Sequence, residues 1–265
     1  MKTPPPPGKI NPDNGTDCSV SGQDKKPCYS WKPAEAKGDS GIFALIVAGG
    51  SGQRIGGDIP KQFIELAGRP VLMHTLENFF RFDSSMEIIL VLPETMFGFW
   101  KDLCRKHHFG VPHKMVAGGR ERFYSVKNGL GTLAGEGFVF IHDGVRPLVS
   151  HDTLNRCLSL ATQTGNALPV IPVSESVRKA ENGTSQPIDR STLRLVQTPQ
   201  TFRLSLIREA YNQPYDSLFT DDASVLEKNG FPIFLTEGNR ENIKITWPED
   251  LILAELLISQ KPAVP

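Results

Sequence analysis

The sequence predicts an α/β fold with a doubly wound, mostly parallel sheet and an inserted β-hairpin arm. From residue 42 onward, short apolar runs alternate with longer amphipathic segments, as a parallel sheet covered by helices requires. The first of these runs, residues 44–48, opens directly into a glycine-rich loop. The alternation breaks at about residues 172–195, where polar segments flank Asn182-Gly183, a dipeptide that favours the positive-φ turn of a hairpin.

The elements follow from the spacing of apolar residues. Short apolar runs predict strands at Ile42–Ala48, Glu87–Leu92, Lys114–Val116, Phe138–His142, Ala167–Val173, Arg194–Gln197, Phe231–Thr236 and Asn242–Thr246. Longer amphipathic segments predict helices at Pro70–Phe80, Phe97–His107, Arg120–Leu133, Asp152–Thr164, Arg203–Gln213, Asp221–Asn229 and Pro248–Ile258. Strands and helices in this order build a doubly wound sandwich.

Residues 1–40 differ from the rest of the chain in composition. They are rich in Pro, Gly, Asp, Lys and Ser and have few aliphatic residues, so we expect a disordered extension before a single domain at 41–265. Residues 4–7 are prolines where a signal peptide would have its apolar segment, and no apolar run is long enough to span a membrane. We therefore expect a cytoplasmic protein without membrane association.

Charge and cysteine content exclude several classes of protein. The chain has 29 acidic and 29 basic side chains, so its formal net charge is zero. This balance removes the electrostatic basis for a nucleic-acid partner. The four cysteines are scattered without a C-x-x-C pair, so neither a zinc site nor a disulfide scaffold is predicted.

The hairpin arm at about 172–195 is too small to bury a core of its own. A two-stranded ribbon is marginally stable alone in water. We therefore expect the arm to pack on a second copy of the chain and form a homodimer.

The glycine-rich loop carries the strongest functional signal. In Ala48-Gly-Gly-Ser-Gly-Gln-Arg54, followed by Pro60-Lys61, glycines stand beside two cations. Glycine backbone lets N–H groups approach an anion closely, which is typical of a phosphate-binding loop for a nucleotide. The spacing fits neither a P-loop nor the G-x-G-x-x-G dinucleotide fingerprint. The alternative is a tight strand-to-helix turn with solvated charges.

The predicted strand Phe138–His142 ends abruptly at Asp143. Because the carboxyl ends of parallel strands face the ligand crevice, Asp143 is placed to hold Mg²⁺ against phosphate oxygens, and Arg146 to contact phosphate or ribose. The alternative is that Asp143 caps the next turn and Arg146 is its ion-pair partner. We interpret His142 as a packed strand residue rather than a ligand.

Two further segments supply backbone donors and a cation. Gly118-Gly119 immediately precedes the helix predicted at Arg120–Leu133, which has Ser125 about one turn in, and free N–H groups at a helix N-terminus suit a base or phosphates. Arg122 is able to anchor this loop through a carboxylate. Lys244 alternates with two isoleucines, so we expect it to point into the crevice, with simple surface exposure as the alternative.

The remaining polar segments narrow the chemistry. Thr220-Asp-Asp-Ala-Ser224 is interpreted as a helix N-cap with acids in its first turn, which requires no function. No Ser-His-Asp order, pair of catalytic carboxylates or activated cysteine is evident in the sequence. Cations, one metal-binding acid and backbone donors remain, and these suit phosphoryl or nucleotidyl transfer.

Six motifs resemble, in order, those of the 2-C-methyl-D-erythritol 4-phosphate cytidylyltransferase family, from about residue 43 to 259. They are Ala48–Arg54 with Pro60–Phe63, Ile141–Pro147, Asp189-Arg190, Gln197–Gln200, Thr220–Ser224 and Asn242–Thr246. The resemblance implies a Rossmann-like nucleotidyltransferase fold. It also implies transfer of CMP from CTP to the erythritol phosphate, giving 4-CDP-2-C-methyl-D-erythritol and pyrophosphate, with Mg²⁺ as cofactor.

The resemblance further implies a role for each site residue. Arg54, Lys61 and Lys244 would stabilise the pentavalent transition state. The nucleotide would be bound by Ala48, Gly49, Gly50, Gly119, Arg120, Ser125, Asp143 and Arg146, with Asp143 as the Mg²⁺ ligand. The acceptor would be contacted by Thr198, Thr220, Glu241 and Lys244, with Ser176 and Arg190 reaching in from the neighbouring subunit's arm.

Several positions depart from the family pattern. Gly49, Gly144-Val145, Arg120, Ser176 and Glu241 stand where Ala, Ala-Ala, Asp, Thr and Asp are usual. At Arg120 this leaves only the backbone as an expected contact with the nucleotide. Gly49 and Gly144-Val145 still allow close approach of the backbone, and Ser176 and Glu241 keep the hydroxyl and the carboxylate.

Two other functions stay open at this point. Ribitol 5-phosphate cytidylyltransferases share the glycine loop, but Pro187–Arg190 and Thr220–Ser224 resemble the erythritol enzymes more closely. A nucleotide-sensing regulator without catalysis is the second alternative, and it has no need of Lys61, Asp143 and Lys244 together. Because the sequence ends at Pro265, we expect no fused cyclase.

Overall fold

The fold of the computed structural model is described for residues 41–50 and 59–260. The strands are β1 (Gly41–Val47), β2 (Glu65–Leu66), β3 (Arg69–Pro70), β4 (Glu87–Leu92), β5 (Lys114–Ala117), β6 (Gly137–Asp143), β7 (Asn166–Pro172), β8 (Val177–Glu181), β9 (Thr184–Ile188), β10 (Arg194–Val196), β11 (Gln200–Arg203) and β12 (Leu235–Glu237). The helices are α1 (Val71–Phe82), α2 (Phe97–Lys106), α3 (Arg122–Thr132), α4 (His151–Thr164), α5 (Leu204–Ala210), α6 (Asp222–Lys228) and α7 (Pro248–Ser259). This alternation confirms the predicted α/β class.

The main sheet runs in the order β10-β7-β11-β6-β1-β4-β5, and β12 also pairs with β7. β1 pairs in parallel with β4 and β6, and β4 pairs in parallel with β5. β11 is antiparallel to both β6 and β7, and β10 is antiparallel to β7. The carboxyl ends of the central parallel strands therefore meet at one edge, where ligands bind in open α/β sheets.

Helices cover both faces of this sheet. Alternate residues of β1 point to opposite sides, so Ala44 and Ile46 pack with α1, α2 and α4, whereas Phe43 and Leu45 pack with α3, α5 and α6. Burial on both faces explains why the central strands are continuous apolar runs in the sequence. The double winding is thus set by the period of two within each strand.

One strand prediction was wrong, and another was right for only part of its length. Residues 242–246 form no strand, because side chains of Arg146 and Gln197, rather than a neighbouring strand, donate to the Asn242 carbonyl oxygen. The strand predicted at Phe231–Thr236 is found only at Leu235–Glu237. Pro232 has no N–H to donate, and the Phe234 N–H donates to the Asn166 side chain instead.

β11 was not predicted as a strand. It lies between β6 and β7 and is antiparallel to both, and the alternation of strand and helix gives no signal for an inserted antiparallel strand. The helix predicted at Arg203–Gln213 is α5, which starts at Leu204, directly after β11.

The predicted hairpin arm is confirmed as β8 and β9, which pair antiparallel through Asn182 and Gly183. These two residues have φ values of 49° and 78°, as a tight hairpin turn requires. Nearly all side chains of the hairpin are exposed. Among the described residues, no helix combines the length and the hydropathy that a membrane crossing needs.

Candidate active site

A cavity of about 240 Å³ opens at the carboxyl ends of β1, β5 and β6. It brings together most of the residues predicted for transition-state stabilisation and nucleotide binding. These are Ala48, Gly49, Gly50, Lys61, Gly119, Arg120, Ser125, Asp143 and Lys244. Arg54 lies outside the described residues.

The first wall of the cavity is the segment after β1. The Ala48 N–H donates to the Val91 carbonyl oxygen at 2.9 Å, and the buried Gln62 side chain donates to the Ala48 carbonyl oxygen at 2.9 Å. Gln62 follows Lys61 in the chain, so this bond ties the turn that carries the lysine to the end of β1. Gly49 and Gly50 are exposed beside it.

The second wall is the loop between β5 and α3. The Gly119 N–H donates to the Ser125 hydroxyl at 3.1 Å, and this hydroxyl lies 3.2 Å from the Glu121 carbonyl oxygen. Ser125 is buried and holds the loop in shape. The Arg120 guanidinium lies over the Tyr124 ring, 5.2 Å from the ring centroid.

Gly119 is a position where only a glycine fits. A Cβ there would lie 2.3 Å from the Tyr124 Cβ atom. We expect Gly119→Ala to push this loop out of place and raise the KM for CTP at least roughly tenfold, as misplacement of a positioning element does. The measurement is steady-state kinetics beside Gly131→Ala, a control in α3, the helix that follows this loop, where the added Cβ meets nothing within 4 Å. An unchanged KM in Gly119→Ala would remove this loop from the nucleotide site.

Asp143 is the electrostatic centre of the cavity. Lys244 Nζ lies 3.0 Å and Arg146 Nε 3.3 Å from its Oδ2 atom. Burial by itself would raise the pKa of Asp143, but the charges of Lys244, Arg122 and Arg146 hold that pKa well below its usual range. The carboxylate is therefore ionised, and Lys244 points into the crevice as predicted from its alternation.

Arg146 lies behind Asp143 rather than on the cavity surface. Its guanidinium donates to Asp143 and, at 2.7 Å, to the Asn242 carbonyl oxygen. The structure thus contains the ion pair that the sequence offered as the alternative to a nucleotide contact. His142 is buried, and its Nε2 atom donates to the Arg146 carbonyl oxygen at 2.9 Å, as expected of a packed strand residue.

The predicted acceptor residues Thr198, Thr220 and Glu241 are not among the residues that line the cavity. Thr198 is buried, and its hydroxyl accepts from the Asp143 N–H at 3.1 Å. Thr220 and Glu241 are exposed. Ser176 and Arg190 lie on the exposed arm region, where Arg190 donates to the Ser174 carbonyl oxygen.

The sequence did not reveal that the buried carboxylate of Asp222 holds Arg122, one of the residues that line the cavity. Arg122 lines the cavity and donates from both terminal nitrogens to Asp222, at 2.6 and 2.7 Å. An anchoring carboxylate for Arg122 was expected, but Asp222 had been interpreted only as an acid near the start of a helix, which requires no function. The two residues are 100 positions apart, and no spacing rule connects them.

The sequence matches the family model of 2-C-methyl-D-erythritol 4-phosphate cytidylyltransferase over residues 42–260. A relative with this name from Phocaeicola vulgatus is 53% identical over 214 residues, which cover 81% of this chain and 98% of the relative. Another from Porphyromonas gingivalis is 51% identical over 218 residues, covering 82% of this chain and 97% of the relative.

Solved structures agree with these matches. The 2-C-methyl-D-erythritol 4-phosphate cytidylyltransferase of Thermus thermophilus superposes with a TM-score of 0.68 and 32% identity, covering 83% of this chain and 99% of that one. The 4-diphosphocytidyl-2C-methyl-D-erythritol synthase of Anaerococcus prevotii gives a TM-score of 0.71 at 28% identity, with 83% and 97% covered.

Proposed function

The chain belongs to the 2-C-methyl-D-erythritol 4-phosphate cytidylyltransferase family, and we propose that the cavity around Asp143 and Lys244 is its active site. The protein is an enzyme that transfers CMP from CTP to 2-C-methyl-D-erythritol 4-phosphate. The observation that carries our placement is the ionised Asp143 with Lys244 Nζ at 3.0 Å, between two glycine-containing loops. Another cavity, beside α2, is also lined by an acid and cations, namely Lys101, Asp102 and Arg105, but its one glycine lies within the helix rather than in a loop.

We assign the chemical step as follows. An oxygen of the acceptor phosphate attacks the α-phosphorus of CTP and forms a new P–O bond. The bond from the α-phosphorus to the bridging oxygen breaks, and pyrophosphate leaves with the electron pair. Lys61 and Lys244 stabilise the negative charge of the pentavalent transition state, together with Arg54, and such fixed cations are the main source of catalysis in reactions of this kind.

Asp143 is our proposed ligand for Mg²⁺. The described residues contain no group of three His, Cys, Asp or Glu side chains that would hold a metal by themselves. Mg²⁺ is usually held by one or two carboxylates together with substrate phosphates and water, so a single ionised acid fits this ion. When bound, the ion would neutralise charge on the phosphates, and Asp143 would fix where that charge is neutralised.

The nucleotide would lie between the two loops. We propose that the backbones of Ala48, Gly49, Gly50, Gly119 and Arg120 contact CTP, and that Ser125 keeps the second loop closed. Arg146 would act by holding Asp143, because its donors face Asp143 and Asn242. Thr198, Thr220 and Glu241 would contact the acceptor. Since both substrates are phosphates that do not cross membranes unaided, a cytoplasmic location is part of the proposal.

The arm is our candidate for the dimer contact within a domain that spans 41–265. Beyond the hairpin, Leu195 and Val196 of β10 are 51% and 43% exposed, and Ile188 of β9 is 36% exposed. Apolar residues on a two-stranded ribbon gain stability by packing on another surface. A second subunit would cover them, and its arm would bring Ser176 and Arg190 to this subunit's acceptor.

Arg190→Ala tests the arm assignment. We expect the KM for the erythritol phosphate to rise at least roughly tenfold and the KM for CTP to stay within about twofold, because only uniform binding of the acceptor is lost. Lys179→Ala is the control, since it removes a cation from the same exposed hairpin that pairs only within the arm. Equal effects of Arg190→Ala on both substrates would contradict the assignment.

The function itself is tested by pyrophosphate release. Purified protein with CTP and Mg²⁺ is given either 2-C-methyl-D-erythritol 4-phosphate or ribitol 5-phosphate, and ATP replaces CTP as a control for base specificity. We expect strong preference for CTP and the erythritol phosphate. Preference for ribitol 5-phosphate would show that the ribitol phosphate is the acceptor. CTP binding without pyrophosphate release with either acceptor would favour the nucleotide-sensing regulator.

A further inference from the structure

The ion pair between Arg122 and Asp222 is built unlike the surface pairs of this protein. Asp222 is fully buried, whereas the Arg122 side chain is 31% exposed and reaches the cavity surface. Both carboxylate oxygens accept from the guanidinium, which fixes the plane of the arginine as well as its distance. A bidentate pair of this kind restricts Arg122 to one orientation at the cavity.

Further contacts restrain Asp222. The Tyr211 hydroxyl donates to its Oδ1 atom at 2.6 Å, and Tyr211 is itself 2% exposed. The Tyr211 ring stacks on Phe123, the residue after Arg122, with ring centroids 4.7 Å apart. The buried Tyr211 side chain thus contacts both the Asp222 carboxylate and Phe123, the neighbour of Arg122.

The start of α6, which carries Asp222, is tied to β11. Gln200 of β11 donates to the Asp221 carboxylate at 2.7 Å and accepts from the Ala223 N–H at 2.9 Å. Asp221 and Ser224 form a capping box at the start of α6. The backbone on both sides of Asp222 is therefore fixed relative to the sheet.

Arg122 and Asp222 begin α3 and α6, the two helices that follow the proposed nucleotide loop and the proposed acceptor loop. Gly119 and Arg120 precede Glu121, the cap residue of α3, and Thr220 precedes Asp221, the cap residue of α6. We propose that Asp222 is a positioning residue that acts through Arg122 and fixes the nucleotide loop and the acceptor loop relative to each other. The proposal rests on the proposed function for the identity of the two substrates.

Asp222→Asn tests the proposal, because it keeps the shape of the side chain but turns one acceptor toward Arg122 into a donor. We expect the KM values for CTP and for the erythritol phosphate to rise together, each at least roughly tenfold, the scale of loss when a partner that orients a site residue is removed. A purely structural residue would lower the melting temperature and the active fraction without moving either KM. Asp102→Asn is the control, since it breaks an exposed Asp–Arg pair on α2.

A double-mutant cycle separates action through Arg122 from other effects. In an Arg122→Ala background, Asp222→Asn should change the KM values less than about twofold, because its partner is already absent. Additive effects would overturn the proposal, as would unchanged KM values in the single variant. If Asp222→Asn does not fold, Tyr211→Phe replaces it and should raise both KM values by a smaller factor that also vanishes without Arg122. Unchanged KM values in Tyr211→Phe would then overturn the proposal.

Two separate measurements distinguish failure of the proposed function from failure of the positioning role. Wild-type turnover is measured first, and its absence would reject the proposed reaction. Calorimetric titration with CTP then tests the positioning role without turnover, since Asp222→Asn should still weaken CTP binding at least roughly tenfold. Wild-type affinity for CTP in this variant would reject the positioning role by itself.

Discussion

Replacing Lys244 with alanine is expected to lower kcat by about 10²- to 10³-fold, the range found when one preorganised donor to a transition state is removed. CTP affinity should change much less, because the lysine is proposed to act most strongly on charge that develops as the acceptor attacks. Its Nζ atom lies 3.0 Å from Asp143, where it is held at the cavity surface before substrates bind. Steady-state kinetics and calorimetric CTP titration together measure this difference.

Two controls accompany the Lys244 variant. Lys114 lies on the edge strand β5 and forms an exposed ion pair with Glu87 of β4. Lys114→Ala should therefore leave kcat unchanged. Lys244→Arg keeps the charge but places it differently, so it should recover part of the activity. A Lys244→Ala enzyme with near-normal kcat would show that Lys244 only pairs with Asp143.

Asp143→Asn is expected to lower kcat by at least about 10³-fold and to weaken the Mg²⁺ dependence of CTP binding, because a neutral amide is a poor ligand for a hard cation. The metal readout is calorimetric CTP titration with and without Mg²⁺, which does not require turnover. We expect Mg²⁺ to strengthen binding in the wild type far more than in the variant. Equal Mg²⁺ effects in both proteins would remove Asp143 as the metal ligand.

The same substitution should also lower stability in a pH-dependent way. Breaking a buried ion pair from one side costs about 3–5 kcal/mol, and Arg146 would lose its carboxylate partner. The folded-state pKa of Asp143 is depressed, so its contribution is complete above the unfolded pKa of about 4 and is lost as the pH falls below that value. The melting-temperature gap between wild type and Asp143→Asn, measured without metal, should therefore shrink in acid. A gap that is constant with pH would contradict the ion pair, and Asp152→Asn, an exposed acid of α4, is the control.

The sequence predicted those features that local chemistry decides. β4 was predicted with its observed bounds because six consecutive residues carry the signal of a buried strand. Asp143 follows such a run, and the rule that parallel strands end at the ligand crevice placed it correctly at the cavity. Lys244 was placed by alternation alone, even though its segment is not a strand.

Features that depend on distant partners were not predictable in this way. Arg146 was assigned either to the nucleotide or to Asp143, and the choice depended on the Asn242 carbonyl oxygen, 96 positions away. Asp222 looked like an ordinary acid in a first helical turn until the fold buried it against Arg122 and Tyr211. Neither contact has a sequence period that would reveal it.

By itself, the sequence determined the α/β class, the central parallel strands, the hairpin turn at Asn182-Gly183 and the placement of Asp143 and Lys244 at the cavity. These follow from the alternation of apolar residues and from the backbone freedom of glycine, which act over a few neighbouring positions. Only the tertiary structure decided that β11 inserts between β6 and β7 and that Asp222 restrains Arg122. Such pairings depend on which buried polar groups meet once the chain is packed, because each must find a partner away from water.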